Sequence, residues 1–176
     1  LVDAAVGNYF SNESMSMARY YNPYTQVSSQ ERASVWMYTS AIEAVNSILK
    51  ALKTQSDLGY TALYDQHHVR YVQLLEKLFD GLQYYKGSFR LVSYTQTREW
   101  SVYAVNRAGA PGTADVSGIL NVYDDQQWLV RELLESYHLT GNKEYLNEAE
   151  YLAQYVLDGW DCTLDSAGKE YGGITW

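Results

Sequence analysis

Cysteine is almost missing from this chain. Cys162 stands alone, so no internal disulfide framework can form, and a small disulfide-stapled domain is disfavoured. Long apolar runs are missing too: none approaches the roughly 20 residues that a membrane helix needs, and no signal peptide is legible. Positive charge is scarce, with 13 Lys and Arg against 21 Asp and Glu and a net charge of −8. Nucleic-acid binding rests on Lys and Arg contacts to phosphate, and adhesion to anionic lipid on polybasic segments. Neither partner is expected. Phenylalanine is scarce as well, with 3 residues against 18 Tyr and 5 Trp. Rings with a polar tip suit surfaces that are half apolar and half wet. A sugar ring, with its C–H face and hydroxyl rim, has the same split character, although any one Tyr more often packs between helices with its hydroxyl at the rim.

What remains is an ordinary globular composition. The 176 residues suit one domain, and 47% apolar against 19% charged residues can support a sizeable core. The chain begins with Leu1 rather than Met, which fits removal of an upstream segment.

Helical periodicity dominates. A first helix is expected over 2–20, ended by Asn22-Pro23. Ser28 or Ser29 is placed to cap a second helix whose apolar stripe is Ile42, Val45, Ile48, Leu49 and Leu52. A third runs over about 63–85 on Val72, Leu75, Phe79 and Leu82, with Gly87 as its stop. Residues 89–95 and 100–106 alternate β-branched and aromatic side chains and read as a β-hairpin turning at 96–99. A Gly/Ser/Pro loop over 107–120 leads to helices over about 123–139 and 143–158, then a Gly- and Asp-rich tail. The fold class is therefore all-α, built of antiparallel helical hairpins with one small β-hairpin. A solenoid, a bundle and a closed α/α toroid all satisfy the pattern.

The segment Asn121-Val122-Tyr123-Asp124-Asp125-Gln126-Gln127-Trp128 stands out at the opening of the fourth helix. Acids in a first turn are favoured by the helix dipole, so one reading makes one Asp a cap and the other a solvated charge. The other reading makes them a catalytic pair for glycoside hydrolysis. Adjacent Cα atoms lie about 3.8 Å apart; on a regular helix neighbours diverge by about 100°, but a pair at a helix start can still converge, since the first residue need not follow helical geometry. Such spacing favours retention, which needs about 5–5.5 Å, over inversion, which needs about 6.5–9.5 Å. The tail Tyr171-Gly172-Gly173-Ile174-Thr175-Trp176 pairs flexible backbone with an indole face, and Trp36 opens the second helix. Each also reads as an ordinary turn or packing residue. His67 and His68 are adjacent on a helix and diverge, Gly168 falls too late for a calcium loop, and no phosphate-binding glycine motif occurs.

Together, Val122-Tyr123-Asp124-Asp125-Gln126-Gln127-Trp128, the Gly172-Gly173-Ile174-Thr175-Trp176 tail and Trp36-Met37-Tyr38 resemble glycoside hydrolase family 76. The resemblance implies an (α/α)6 toroid and hydrolysis of the α-1,6-mannan backbone by an exported, periplasmic or cell-surface enzyme. It implies Asp124 as nucleophile and Asp125 as general acid/base, with Trp36, Tyr123, Trp128, Gly172, Gly173 and Trp176 in or near the glycan cleft. It implies no metal or organic cofactor. Twelve helices need about twice this length, so residues 1–176 are expected to form a partial toroid domain lacking its C-terminal half, with self-association through the exposed faces. Three alternatives remain: a non-catalytic glycan-binding helical protein, another α/α-toroid polysaccharide hydrolase, and a helical interaction or structural domain with no sugar site.

Overall fold

The structure, a computed structural model, describes residues 1–11 and 13–174. Among them are five α-helices: α1 (Val2–Tyr9), α2 (Val35–Asp57), α3 (Ala62–Leu82), α4 (Tyr123–Thr140) and α5 (Lys143–Asp158). Three two-stranded antiparallel sheets accompany them: β1 (Phe10–Ser11) with β2 (Ser16–Met17), β3 (Tyr21–Asn22) with β4 (Val27–Ser28), and β5 (Lys86–Val92) with β6 (Thr97–Tyr103).

The N-terminal region departs most from the periodicity. The helix expected over 2–20 ends at Tyr9, and two tight hairpins follow. The segment after Tyr9 is rich in Ser and Asn, whose side chains compete with helical hydrogen bonding. Ser11 Oγ donates to the Ser16 carbonyl at 3.3 Å, and Asn22 Oδ1 accepts from the amides of Tyr24 (2.9 Å) and Thr25 (3.2 Å). Asn22-Pro23 thus turns a hairpin rather than ending a helix. Three hairpins therefore replace the single one expected.

The second helix starts later than Ser28 or Ser29 suggests. Ser28 lies in β4, and the cap is Ser34, whose Oγ accepts from Met37 N at 3.4 Å. The third hairpin spans Lys86↔Tyr103 to Val92↔Thr97, so its turn falls at 93–96, three residues earlier than expected. Gly87, expected to stop a helix, lies inside β5. A Cβ there would run into the Ala114 carbonyl, because the loop after β6 lies directly against this strand. That loop is laid back along 83–86: Ala104 N, Ala108 N, Gly112 N and Ala114 N donate to the carbonyls of Tyr85, Tyr84, Gln83 and Lys86 at 2.7–3.0 Å. It delivers the chain to the start of α4. The boundaries of α4 and α5 fall where the periodicity puts them.

The packing is that of antiparallel helical hairpins. Helix α2 packs on α3, α4 on α5, and α2 also packs on α4. The buried stripe of α2 is Ile42, Val45, Leu49 and Leu52, meeting Leu75, Leu78 and Leu82 of α3 and Leu129 and Leu133 of α4 in one core. Tyr38 and Tyr85 join that core with their hydroxyls satisfied, donating to the carbonyls of Leu78 (2.9 Å) and Ala33 (2.8 Å). No described helix is long and apolar enough to cross a membrane.

Candidate active site

Three polar pairings set how α2 and α4 lie together. Glu43 pairs with Arg131 at 2.8 Å, Asn46 Nδ2 donates to Glu132 Oε2 at 2.9 Å, and Lys50 pairs with Glu135 at 3.0 Å. Residue numbers rise together on both helices, so the two run parallel. Seven residues, or about two turns, before Glu43 stands Trp36. Seven before Arg131 stands Asp124. The two are therefore level at the same end of the α2–α4 seam. Trp36, Ser40, Glu43 and Ser47 on α2, and Asp124, Trp128 and Arg131 on α4, are all exposed along it.

Asp124 and Asp125 occupy the first turn of α4, and neither caps it. The cap position is Val122, with no side-chain cap hydrogen bond. The capping reading of the pair is thereby removed. Their environments differ sharply: Asp124 is exposed, whereas Asp125 is 8% exposed. Asp125 accepts no side-chain hydrogen bond from any described residue. Burial, and secondarily the charge of Asp124, pushes its pKa up from the ordinary carboxylate value to about 6. One carboxyl is thus held toward its neutral form beside another that faces solvent.

The turn that carries them is anchored by Gln126. Its fully buried carboxamide accepts from Tyr103 N at 3.1 Å and donates to Tyr103 O at 2.7 Å, extending the end of β6 by one side-chain rung. Asn121 supports the same turn, donating from Nδ2 to the Tyr155 hydroxyl at 2.6 Å and accepting from Gln126 Nε2 at 3.2 Å.

Tyr123 sits on the other side of the turn. Its ring lies 4.9 Å from that of Tyr155 and so close over Gly159 that a Cβ there would collide with it. With Gly159, the end of β5 (Leu91, Val92) and the turn residues Ser93 and Tyr94 it lines a recess of about 290 Å³. Asp158, 7% exposed, ties that turn to α5, accepting from Thr95 Oγ1 (3.2 Å), Gln96 Nε2 (2.8 Å) and Trp100 Nε1 (3.3 Å).

The remaining residues singled out from the sequence separate into two groups. Trp36 (57% exposed) and Trp128 (40% exposed) share the α2–α4 seam with Asp124. Arg131 lies 4.1 Å over one face of the Trp128 ring. Gly172 and Gly173 belong instead to a looped tail. Gly172 N donates to Asp161 O at 3.0 Å, Asp161 N donates to Gly173 O at 2.9 Å, and Trp160 bridges to Ile174. Both glycines have positive φ, at 70° and 88°, which explains the paired glycines as backbone requirements. Trp176 lies outside the described residues.

Three contributors escaped the sequence reading: Asn46, Arg131 and Glu132, while Gln126 stood in the motif without a role. Asn46 and Glu132 carried a signal, since each is a polar residue inside an apolar helical stripe. Among the described residues, no group of three or more His, Cys, Asp or Glu is placed to hold a metal ion. A larger recess, about 590 Å³, is lined by Glu76, Asp80, Lys86, Glu144 and Glu148 but by neither member of the Asp pair.

No family profile and no curated protein matches the chain. Solved structures do, two of them as follows. One is a glycoside hydrolase family 76 (mannosidase) from Bacteroides thetaiotaomicron VPI-5482, with 19% identity and a TM-score of 0.63, covering 99% of this chain and 39% of that one. The other is a family 76 glycoside hydrolase from a bovine Bacteroides thetaiotaomicron strain, with 18% identity and a TM-score of 0.58, covering 99% of this chain and 31% of that one. Those neighbours are α/α toroids, and this chain shares the helical-hairpin architecture of part of one. The chain spans between about a third and two-fifths of the length of these structures.

Proposed function

We propose that this chain carries the catalytic pair of a retaining glycoside hydrolase that cuts the α-1,6-mannan backbone from within. The observation that carries the reading is the asymmetry of the pair: Asp125 is buried with its pKa raised to about 6, beside an exposed Asp124 on the same helical turn. Two carboxyls with divergent environments are what acid and nucleophile roles require. The likeness in fold to family 76 enzymes supports the choice of substrate class.

In the first step the Asp124 carboxylate attacks the anomeric carbon, forming a glycosyl ester. The protonated Asp125 gives its proton to the departing glycosidic oxygen. In the second, Asp125, now a carboxylate, takes a proton from water, whose oxygen displaces Asp124 from the anomeric carbon. The product keeps the anomeric configuration of the substrate. Trp36 and Trp128, exposed along the same seam, supply apolar faces for sugar rings. An exported address, periplasmic or at the cell surface, fits such a polymeric substrate.

Reducing-end release from linear α-1,6-mannan tests the proposal. Release by the native chain is expected to fall at least about 10³-fold in Asp124→Asn and in Asp125→Asn, while both variants still bind mannan. Release that persists in either variant removes that residue from the chemistry. Binding without any release by the native chain favours a glycan-binding protein instead.

A further inference from the structure

Glu132 is 4% exposed, and a buried carboxylate is costly unless its oxygens are paired. Its two oxygens serve different neighbours. Oε2 accepts from Asn46 Nδ2 at 2.9 Å, across the α2–α4 interface, and Oε1 accepts from Arg131 Nε at 2.8 Å. The interhelical tie does not depend on the carboxylate alone. Asn46 Nδ2 also donates to the Glu132 backbone carbonyl at 3.1 Å, and Ser136 Oγ donates to Asn46 Oδ1 at 3.0 Å. What the carboxylate adds, and neither the Glu132 backbone nor Ser136 supplies, is a hold on the guanidinium from within the helix interface. Held by its Nε, Arg131 lies 4.1 Å over the Trp128 ring and reaches Glu43 with NH2 at 2.8 Å. The cation covers one face of an indole that is still 40% exposed. Trp128 lies one turn beyond Asp124, on the same exposed face of α4.

We infer that Glu132 is a positioning residue: through Arg131 it fixes the Trp128 indole so that its uncovered face forms the floor of a sugar subsite next to the Asp124–Asp125 pair. The inference rests on the glycoside-hydrolase reading and adds to it the means by which one platform is held. From Trp128 the seam continues into a recess of about 220 Å³ between α2 and α4, where Glu43, Ser47, Lys50 and Glu135 offer hydroxyl-binding groups to the next unit of the chain. A polymer lying along the seam would thus cross the Asp pair, the indole and this polar recess in order.

Two substitutions undo the stack with little change in bulk. Glu132→Gln keeps one acceptor oxygen for Asn46 and turns an amide N–H toward Arg131 Nε. Arg131→Lys, at an exposed site, keeps the charge and loses the planar stack. Glu43→Gln, which breaks the exposed pair, is the control for the NMR readout alone, since Glu43 also lines the polar recess. In the native chain the δ-protons of Arg131 should show an upfield ring-current shift by NMR. Glu132→Gln should abolish that shift and Glu43→Gln should retain it. On linear α-1,6-mannan, Glu132→Gln and Arg131→Lys should each raise KM about three- to tenfold, with kcat changed less than about twofold.

An unmoved ring-current shift in Glu132→Gln, or an unchanged KM in both variants, overturns the positioning role. If Asp125→Asn loses turnover while Glu132→Gln keeps the native KM, the hydrolase reading stands and this inference falls. If the native chain binds no mannan, both fall together.

Discussion

In the proposed mechanism Asp125 is the proton donor, and its burial has a stability cost with a defined sign. Its folded pKa, about 6, lies above the ordinary value of 3.8. The folded chain therefore binds the proton more tightly than the unfolded chain does. That advantage is fully present below pH 4 and is lost as pH rises through 6. Asp125→Asn removes the ionisation penalty. Urea denaturation at pH 7 should find the variant more stable than the native chain by about 1–2 kcal/mol, and the difference should vanish at pH 3.5. A variant less stable at pH 7 would mean that the carboxylate makes a stabilising contact. The candidate pair itself was legible in the sequence, because two adjacent acids opening a helix after a glycine-rich loop form a local pattern. Which of the two is buried was not legible. The exposure of each depends on the register of α4 against α2, and that register is fixed by Asn46, Glu132 and their neighbours far away in sequence.

At the scale of elements, the site depends on how firmly the first turn of α4 is held to its surroundings. Gln126 does this through the backbone of Tyr103. Gln126→Leu would leave a buried N–H and C=O without partners, at a cost of about 2–3 kcal/mol, visible as an earlier urea midpoint. A loss below about 0.5 kcal/mol would show that the anchor is dispensable. Gly159 holds the other side of the turn by leaving room for the Tyr123 ring. Gly159→Ala should cost about 1–3 kcal/mol by overpacking and should shift the Tyr123 ring resonances. The elements themselves were unevenly legible. Helices α3, α4 and α5 follow from apolar periodicity because each lays one stripe against a single core. The region after Tyr9 did not, because its apolar residues continue at intervals a helix accepts while its Ser and Asn side chains satisfy the backbone in turns instead. The β5–β6 hairpin was legible in kind but displaced by three residues, since Gly87 reads locally as a helix stop. In the fold it is a point of close approach to the loop at Ala114.

At the scale of the whole molecule, the parallel pairing of α2 and α4, each backed by an antiparallel partner, is the repeating relationship of an α/α toroid. Periodicity left solenoid, bundle and toroid equally open, because all three are built from the same helical hairpins and differ only in how successive hairpins are arranged. The parallel register makes the α2–α4 seam a continuous track, with Trp36 level with Asp124 at one end and charged side chains following along it. In the proposed mechanism this track presents a sugar to Asp124 as nucleophile while Asp125 protonates the leaving group. The most direct measurement is covalent trapping with a 2-deoxy-2-fluoro-α-mannosyl fluoride, followed by peptide mapping by mass spectrometry. One fluoromannosyl ester per chain is expected, carried on Asp124 and absent from Asp124→Asn. An ester on any other residue, or none on the native chain, would contradict it.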